Sequence, residues 1–292
     1  MVQIQKATSE HFEAVYQLFG TLNDQHNSKK DWENLFIDHF NSGETYFGYV
    51  LLDNQIVVGF LGLIFSKRRF KHREIKFCNI GNWVVSPEYR NKSINLLFPV
   101  LKTEDCVLTN FTASPTVCKI FKTLKFNELG EQFYIIPPLP NVSFLKGINK
   151  KLSIFYGDRV EPHLVPDDLK IFKDHSHPDF KCKHILFKSA LGTCYIVAKR
   201  AYRKRLPFLH IHYISNAKVF SEHIDLFRMV APFKFQVTAI IVDQRFLQEE
   251  TVKHVIPYQL QSPRFYKSNI KNDCSDLNMI DHLYSEFVVL HI

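Results

Sequence analysis

No stretch of this 292-residue chain comes near the roughly 20 consecutive apolar residues that a membrane-spanning helix requires. The start, Met1-Val2-Gln3-Ile4-Gln5-Lys6, lacks the basic flank and apolar block of a secretory leader, so a cytoplasmic location with no membrane partner is expected. Low-complexity tracts are missing too, and a hydrophobic content of 46% is enough for packed cores, which sets disorder aside. The six cysteines show no C-x-x-C spacing, so reduced, mostly buried thiols are expected rather than a disulfide framework. Fourteen histidines are present without an H-E-x-x-H helix motif. His210 and His212 alternate on one strand face and His175, His177 and Asp179 form a second group, but nothing in the sequence brings them together, and no metal site is expected.

What the chain has is positive charge, a formal +8 at neutral pH, which points to an anionic ligand or partner. Two runs concentrate it, 67–73 and 199–205, each with five cationic residues in seven and each between apolar strand-like segments. Taken singly, each reads as the solvated tip of a hairpin. Their single aromatics and the lack of a recognised binding motif argue against nucleic acid. The runs lie 132 positions apart, and that ungapped offset superimposes four successive elements. Ile56–Phe65 falls on Lys188–Val197, the strand that begins at Phe77 on Leu209–Ser215, the apolar helix positions Ile94, Leu97, Phe98 and Leu101 on Leu226, Met229, Val230 and Phe233, and Cys106–Thr109 on Thr238–Ile241. The chain therefore reads as two copies of one fold.

The stretch that organises the first copy runs from Phe77 to Asn95. Phe77-Cys78-Asn79-Ile80-Gly81-Asn82-Trp83-Val84-Val85 is strand-like and ends at Ser86-Pro87. Ile94, Leu97, Phe98 and Leu101 then recur at helical spacing. A strand passing through a short turn into a helix aims unpaired N–H groups and a helix dipole at one spot, with Arg90 and Lys92 beside it, and a phosphate would bind there.

Val85-Ser86-Pro87-Glu88-Tyr89-Arg90-Asn91-Lys92-Ser93-Ile94-Asn95 resembles the acyl-CoA signature of the GNAT acyltransferase superfamily, Val-x-Pro-x-x-Arg-x-x-Gly-x-Gly/Ala, with Ser93 and Asn95 at the glycine positions. The resemblance implies an acetyl-CoA or other acyl-CoA co-substrate. Its pyrophosphate would lie near Arg90, Asn91, Lys92, Ser93, Ile94 and Asn95 and its pantetheine along Val84 and Val85, with Ser114 and Phe121 also in the cofactor set. Where the family commonly places a glutamate base this chain has Asn79, and at the position of the tyrosine acid it has Phe121; Cys78, His72 and Tyr134 are the substitute catalytic candidates.

The order of elements agrees with that resemblance. A strand from Val2 to Lys6 precedes a helix capped near Ser9 and a second helix through Trp32, Leu35, Phe36, His39 and Phe40. A hairpin turns at Asp53-Asn54, then come the organising strand and helix, a strand at Cys106–Phe111, a helix through Val117, Ile120, Phe121 and Leu124, and strands at Phe126–Gly130 and Gln132–Ile136 that close the copy. The expected fold is α+β, GNAT-like, in two tandem copies, each a mixed, mostly antiparallel sheet flanked by helices. The expected boundaries are residues 1–140 for an acyl-CoA-binding domain, 141–161 for a linker and 162–292 for a degenerate copy. In the second copy Arg90 becomes Glu222 and Ser93 becomes Asp225, carboxylates that would repel a pyrophosphate, so that copy is expected to serve as a packing partner, a substrate-side wall or a homodimer surface.

The leading functional expectation is transfer of an acyl group, most simply acetyl, to a primary amine of a small acceptor. The basic runs favour an anionic, phosphate-bearing one such as a nucleotide-linked amino sugar. The alternatives are a non-catalytic scaffold on a degenerate fold and a basic nucleic-acid-associated modifier, the last resting on charge alone.

Overall fold

The computed structural model describes residues 2–22, 27–70, 73–130, 132–139, 152–260, 262–270 and 280–290. His72 and most of the expected linker lie outside the described residues. The chain divides into two compact units, Met1–Leu129 with Ser262–Ser275 and Tyr284–His291, and Gly130–Gln261 with Asp276–Leu283 and Ile292.

The first unit is built on a seven-stranded sheet in the order β1-β2-β3-β4-β5-β14-β6. Its strands are β1 (Val2–Lys6), β2 (Gly48–Asp53), β3 (Ile56–Phe70), β4 (Arg73–Val85), β5 (Cys106–Asn110), β6 (Asn127–Leu129) and β14 (Arg264–Ser268). The β2–β3 hairpin turns through Asn54 and Gln55, both with positive φ, the backbone that matches the twist of a tight hairpin. Around the sheet lie α1 (Phe12–Phe19), α2 (Lys29–Glu33), α3 (Phe98–Leu101) and α4 (Pro115–Thr123). In the core, the Phe121 ring lies 4.4 Å from Phe126 and 5.4 Å from Phe265 of β14.

The second sheet has the order β13-β7-β12-β11-β10-β9-β8. Its members are β7 (Gln132–Ile136), β8 (Ser153–Tyr156), β9 (Lys183–Ser189), β10 (Gly192–Arg203), β11 (Leu206–Ile214), β12 (Ala239–Asp243) and β13 (Ile256–Gln259), with α5 (Pro166–His175) and the long α6 (Ala217–Phe235) as its helices. Read from β1 and from β8, the two sheets show one succession: three antiparallel pairings, a parallel one, then two antiparallel ones. The mixed, mostly antiparallel sheet flanked by helices thus appears twice, and both basic runs fall at hairpin ends, between β3 and β4 and between β10 and β11.

Three expectations are corrected. Gln132–Ile136 does not close the first sheet: β7 pairs with β12 and β13 in the second, and the first takes β14 as its sixth strand. The helix expected from Ile94 is a 3₁₀ segment, Pro87–Leu96, and α-helix begins only at Phe98. Pro99 is the reason, because a residue without an N–H is tolerated only in a helix's first turn. The helix expected to reach Phe40 is also short: Ser28 and Asp31 form a capping box at the start of α2, and a 3₁₀ turn ends at Phe36. There the chain turns extended, and the Asp38 carboxylate accepts the N–H groups of Ser42 and Gly43, each at 3.0 Å.

If β14 is integral to the first core, Phe265→Ala should cost about 3–5 kcal/mol in denaturant unfolding. Phe98→Ala, at a side chain that is 46% exposed, should stay within about 0.5 kcal/mol.

Candidate active site

The parallel pairing of β4 with β5 ends early. Lys76–Asn79 are in register with Cys106–Thr109, after which β4 continues to Val85 with no strand paired to that edge among the described residues. The other edge stays paired to β3, with one extra residue between Gly81 and Val84 relative to Gly62 and Phe60. Asn82 absorbs this bulge at φ +52°, and a bulge re-aims the backbone groups beside it. The result is an open fork of two parallel strands whose β4 arm carries peptide groups that β5 does not satisfy. The Asn110 amide spans its base, donating to the Ile80 carbonyl at 2.6 Å.

A carboxylate lines the opened arm. Glu286, at the start of the short helix α7 (Glu286–Val289), is 1% exposed, and a Cβ added at Gly81 would stand 3.3 Å from its carboxyl carbon. Any side chain at position 81 would press on that group. The Thr112 hydroxyl donates to Glu286 Oε1 at 2.6 Å, and the Glu286 N–H donates to Asn79 Oδ1 at 3.3 Å. Oε2 is buried and makes no hydrogen bond among the described residues. Burial pushes the Glu286 carboxyl up to about 7, against the opposing pull of Thr112 and Asn79. A group poised near neutrality beside a strand edge that β5 does not pair can exchange a proton at working pH.

Sequence reasoning missed Glu286 because 207 positions separate it from Asn79. A usable local signal did exist: one acid, Glu286, directly before the apolar run Phe287-Val288-Val289-Leu290, with no nearby Lys or Arg in sequence, is an uncommon pattern for a surface. A recess lined by Asn34, Asp38, Glu44, Ile64 and Val289, among others, adjoins this place, since Ile64 is the register partner of Asn79 and Val289 shares the helix of Glu286.

The other sequence candidates are dispersed. Val84 is buried and Val85 half-buried on the opened arm, paired with Phe60 and Gly59 of β3. Arg90, Asn91 and Lys92 are exposed, and Ser93, Ile94 and Asn95 half-buried, along the 3₁₀ segment. The Ser86 N–H is taken by the Val58 carbonyl and the Tyr89 N–H by Ser86, so the turn offers fewer amides than an α-helical start would. Ser114 caps α4, accepting from the Val117 N–H at 3.4 Å. Phe121 is fully buried among aromatic rings, a core position. Cys78 is likewise fully buried, and burial with Cys106 nearby pushes its thiol well above the ordinary range, which disfavours the thiolate that a nucleophile needs. Tyr134 lies on β7 in the second unit's sheet, between Val242 and Pro257, not in the first unit where the sequence put it.

No protein-family model and no curated protein matches the sequence. Solved structures do match. A GCN5-related N-acetyltransferase from Kribbella flavida aligns with a TM-score of 0.59 at 10% identity, over 92% of this chain and 71% of that one. One from Anabaena variabilis aligns with a TM-score of 0.57 at 12% identity, over 92% and 73%. A glucosamine N-acetyltransferase region of a fungal multi-domain β-N-acetylglucosaminidase aligns with a TM-score of 0.58 at 11% identity, over 91% of this chain and 38% of that one. At such identities the likeness is one of architecture, and the forked sheet with its bulged fourth strand belongs to a chain that carries the fold of the GCN5-related N-acetyltransferases.

Proposed function

We propose that the first unit transfers an acyl group from acetyl-CoA or another acyl-CoA to a primary amine, with Glu286 as the proton acceptor. The observation that carries this reading is the fork itself: β4 leaves β5 after Asn79, and a buried carboxylate of raised pKa lies against the arm so exposed. A thioester laid along Ile80–Val85 would find strand N–H groups to polarise its carbonyl as negative charge develops there. Glu286 Oε2 would take the ammonium proton, while Thr112 holds the other carboxylate oxygen and fixes its direction. Arg90 and Lys92, exposed just past the end of β4, supply positive charge for the pyrophosphate, with Ser93 and Asn95 beside them.

For the acceptor, the recess beside Glu286 has a polar wall in which Asp38 holds the Ser42 and Gly43 N–H groups and Glu44 is paired with Lys76. The basic hairpin between β3 and β4 suits an acceptor that also carries phosphate, and an amino sugar is the substrate class named for the fungal region sharing this fold. The second unit, with Glu222 and Asp225 at the positions of Arg90 and Ser93, is assigned no acyl-CoA of its own and remains a candidate packing or dimer surface.

Glu286→Gln should lower kcat by roughly 10²–10⁴-fold and abolish a rise of rate with pH through about 7, while acyl-CoA binding by calorimetry stays unchanged. Acyl-CoA binding without turnover across a panel of amines would instead favour the scaffold reading. Arg90→Glu should weaken acyl-CoA binding at least tenfold and leave the unfolding midpoint in place; binding equal to the parent's would displace the phosphate site from this turn.

A stability measurement checks Glu286 independently of activity. Its folded-state pKa, about 7, lies above the ordinary carboxylate value, so its contribution is fully present below about 4.5 and is lost as pH rises through 7. Glu286→Gln should therefore gain stability over the parent, by roughly 2–4 kcal/mol, as pH goes from 4.5 to 8. Parallel stability curves would mean an ordinary carboxylate.

A further inference from the structure

The second unit repeats the fork. β11 pairs in parallel with β12 only through Phe208–His210 against Ala239–Ile241, while β11 runs on to Ile214. Where the first unit has a carboxylate at this place, the second has three imidazoles. His210 and His212 stand on one face of β11 with rings 4.4 Å apart, and His282, whose N–H donates to the His212 carbonyl at 3.3 Å, brings a third ring within 6.1 Å of both. One ring nitrogen from each of the three lies within 4.8 Å of the others, and the rings are 0–3% exposed.

We propose that His210, His212 and His282 bind one borderline divalent metal ion, with zinc the best fit. Three nitrogen donors are a set that zinc favours, and Zn–N bonds of about 2.0–2.1 Å require ring nitrogens that lie within 4.8 Å of one another to close by at most roughly 1.5 Å on loading. The surroundings are those of a held ligand. His282 Nε2 lies 3.3 Å from Asp243 Oδ2, a carboxylate placed to orient the ring. A carboxylate behind a histidine is the usual outer partner of a metal-binding imidazole. Asp243 is itself fixed by Arg245, at 2.5 Å and through the Arg245 N–H at 3.0 Å, and Arg245 reaches the Ile280 carbonyl that precedes the histidine. Phe133 and Phe246 close the sides, with rings 5.6 Å from His210 and 5.1 Å from His282.

The charges are mixed. Arg245 Nη2 lies 3.4 Å from His282 Nε2, and Lys199 is buried on β10 in register with His210, so two cations oppose a dication, while Asp243 beside His282 offsets them. The inference does not rest on the acyltransferase reading, because the residues belong to the second unit and its test reads metal.

The test is elemental analysis and zinc titration of the full chain, expressed without a polyhistidine tag in zinc-supplemented medium. One equivalent of zinc per chain is expected, together with a visible ligand-field spectrum when cobalt replaces it. His210→Gln and His282→Gln should each weaken zinc binding more than a hundredfold. Asp243→Asn, which keeps all three nitrogens, should weaken it roughly 10–100-fold. His177→Gln, at an exposed histidine elsewhere, should change nothing. A parent chain that takes up no stoichiometric zinc or cobalt, either during expression or on refolding with the ion, overturns the proposal, as does a folded His282→Gln chain that binds like the parent.

Discussion

The candidate chemistry depends on one interrupted ladder. Adjacent parallel strands normally continue to satisfy one another's peptide groups, and here they stop at Asn79 and Thr109 although β4 has six more residues to run. Leaving such groups unpaired is costly in a buried setting, so an edge of this kind persists only where something takes up its hydrogen bonds. Part of that duty falls to Asn110, which caps the Ile80 carbonyl. Beyond Ile80 no strand is paired to this edge of the arm among the described residues, which is the geometry that binding by strand addition uses. The bulge at Asn82 and the carboxylate at Gly81 both sit on this arm, which is why geometry and chemistry converge there.

The two units give one backbone plan two chemical fillings. In the first, an acid raised toward neutrality faces the fork; in the second, a cluster of imidazoles does, and the polar turn after the strand gives way to α6, a continuous helix whose first turn is capped by Asn216 through the Val219 N–H at 3.0 Å. Function resides in grafted side chains rather than in topology, and the two sheets share an order of pairings while the side chains at their forks differ.

Much of the framework was legible. Periodicity located the strands on either side of both basic runs, and the 132-residue offset carried β3, β4 and β5 onto β10, β11 and β12, because hydrophobic alternation is a local property that survives when individual residues change. The motif from Val85 to Asn95 was likewise readable because it is contiguous. What escaped was non-local. No pattern within Gln132–Ile136 or Arg264–Ser268 says which sheet each strand will join, since a half-buried strand reads alike in either. Glu286 and His282 lie far along the chain from the strands they face, so each site was half visible: Asn79 stood out as a missing acid and His210 with His212 as an incomplete pair. The misplaced helix after Lys92 is a different kind of error, in which apolar spacing outweighed Pro99 although the backbone is governed by the proline.

The most direct test of the account is a structure of the chain determined with acetyl-CoA. It should show the thioester carbonyl within hydrogen-bonding distance of a β4 amide between Ile80 and Val85, with the acyl carbon turned toward the Glu286 carboxylate and the pyrophosphate beside Arg90. Cofactor density away from the β4 arm, or a fork closed by continued β4–β5 pairing, would contradict it.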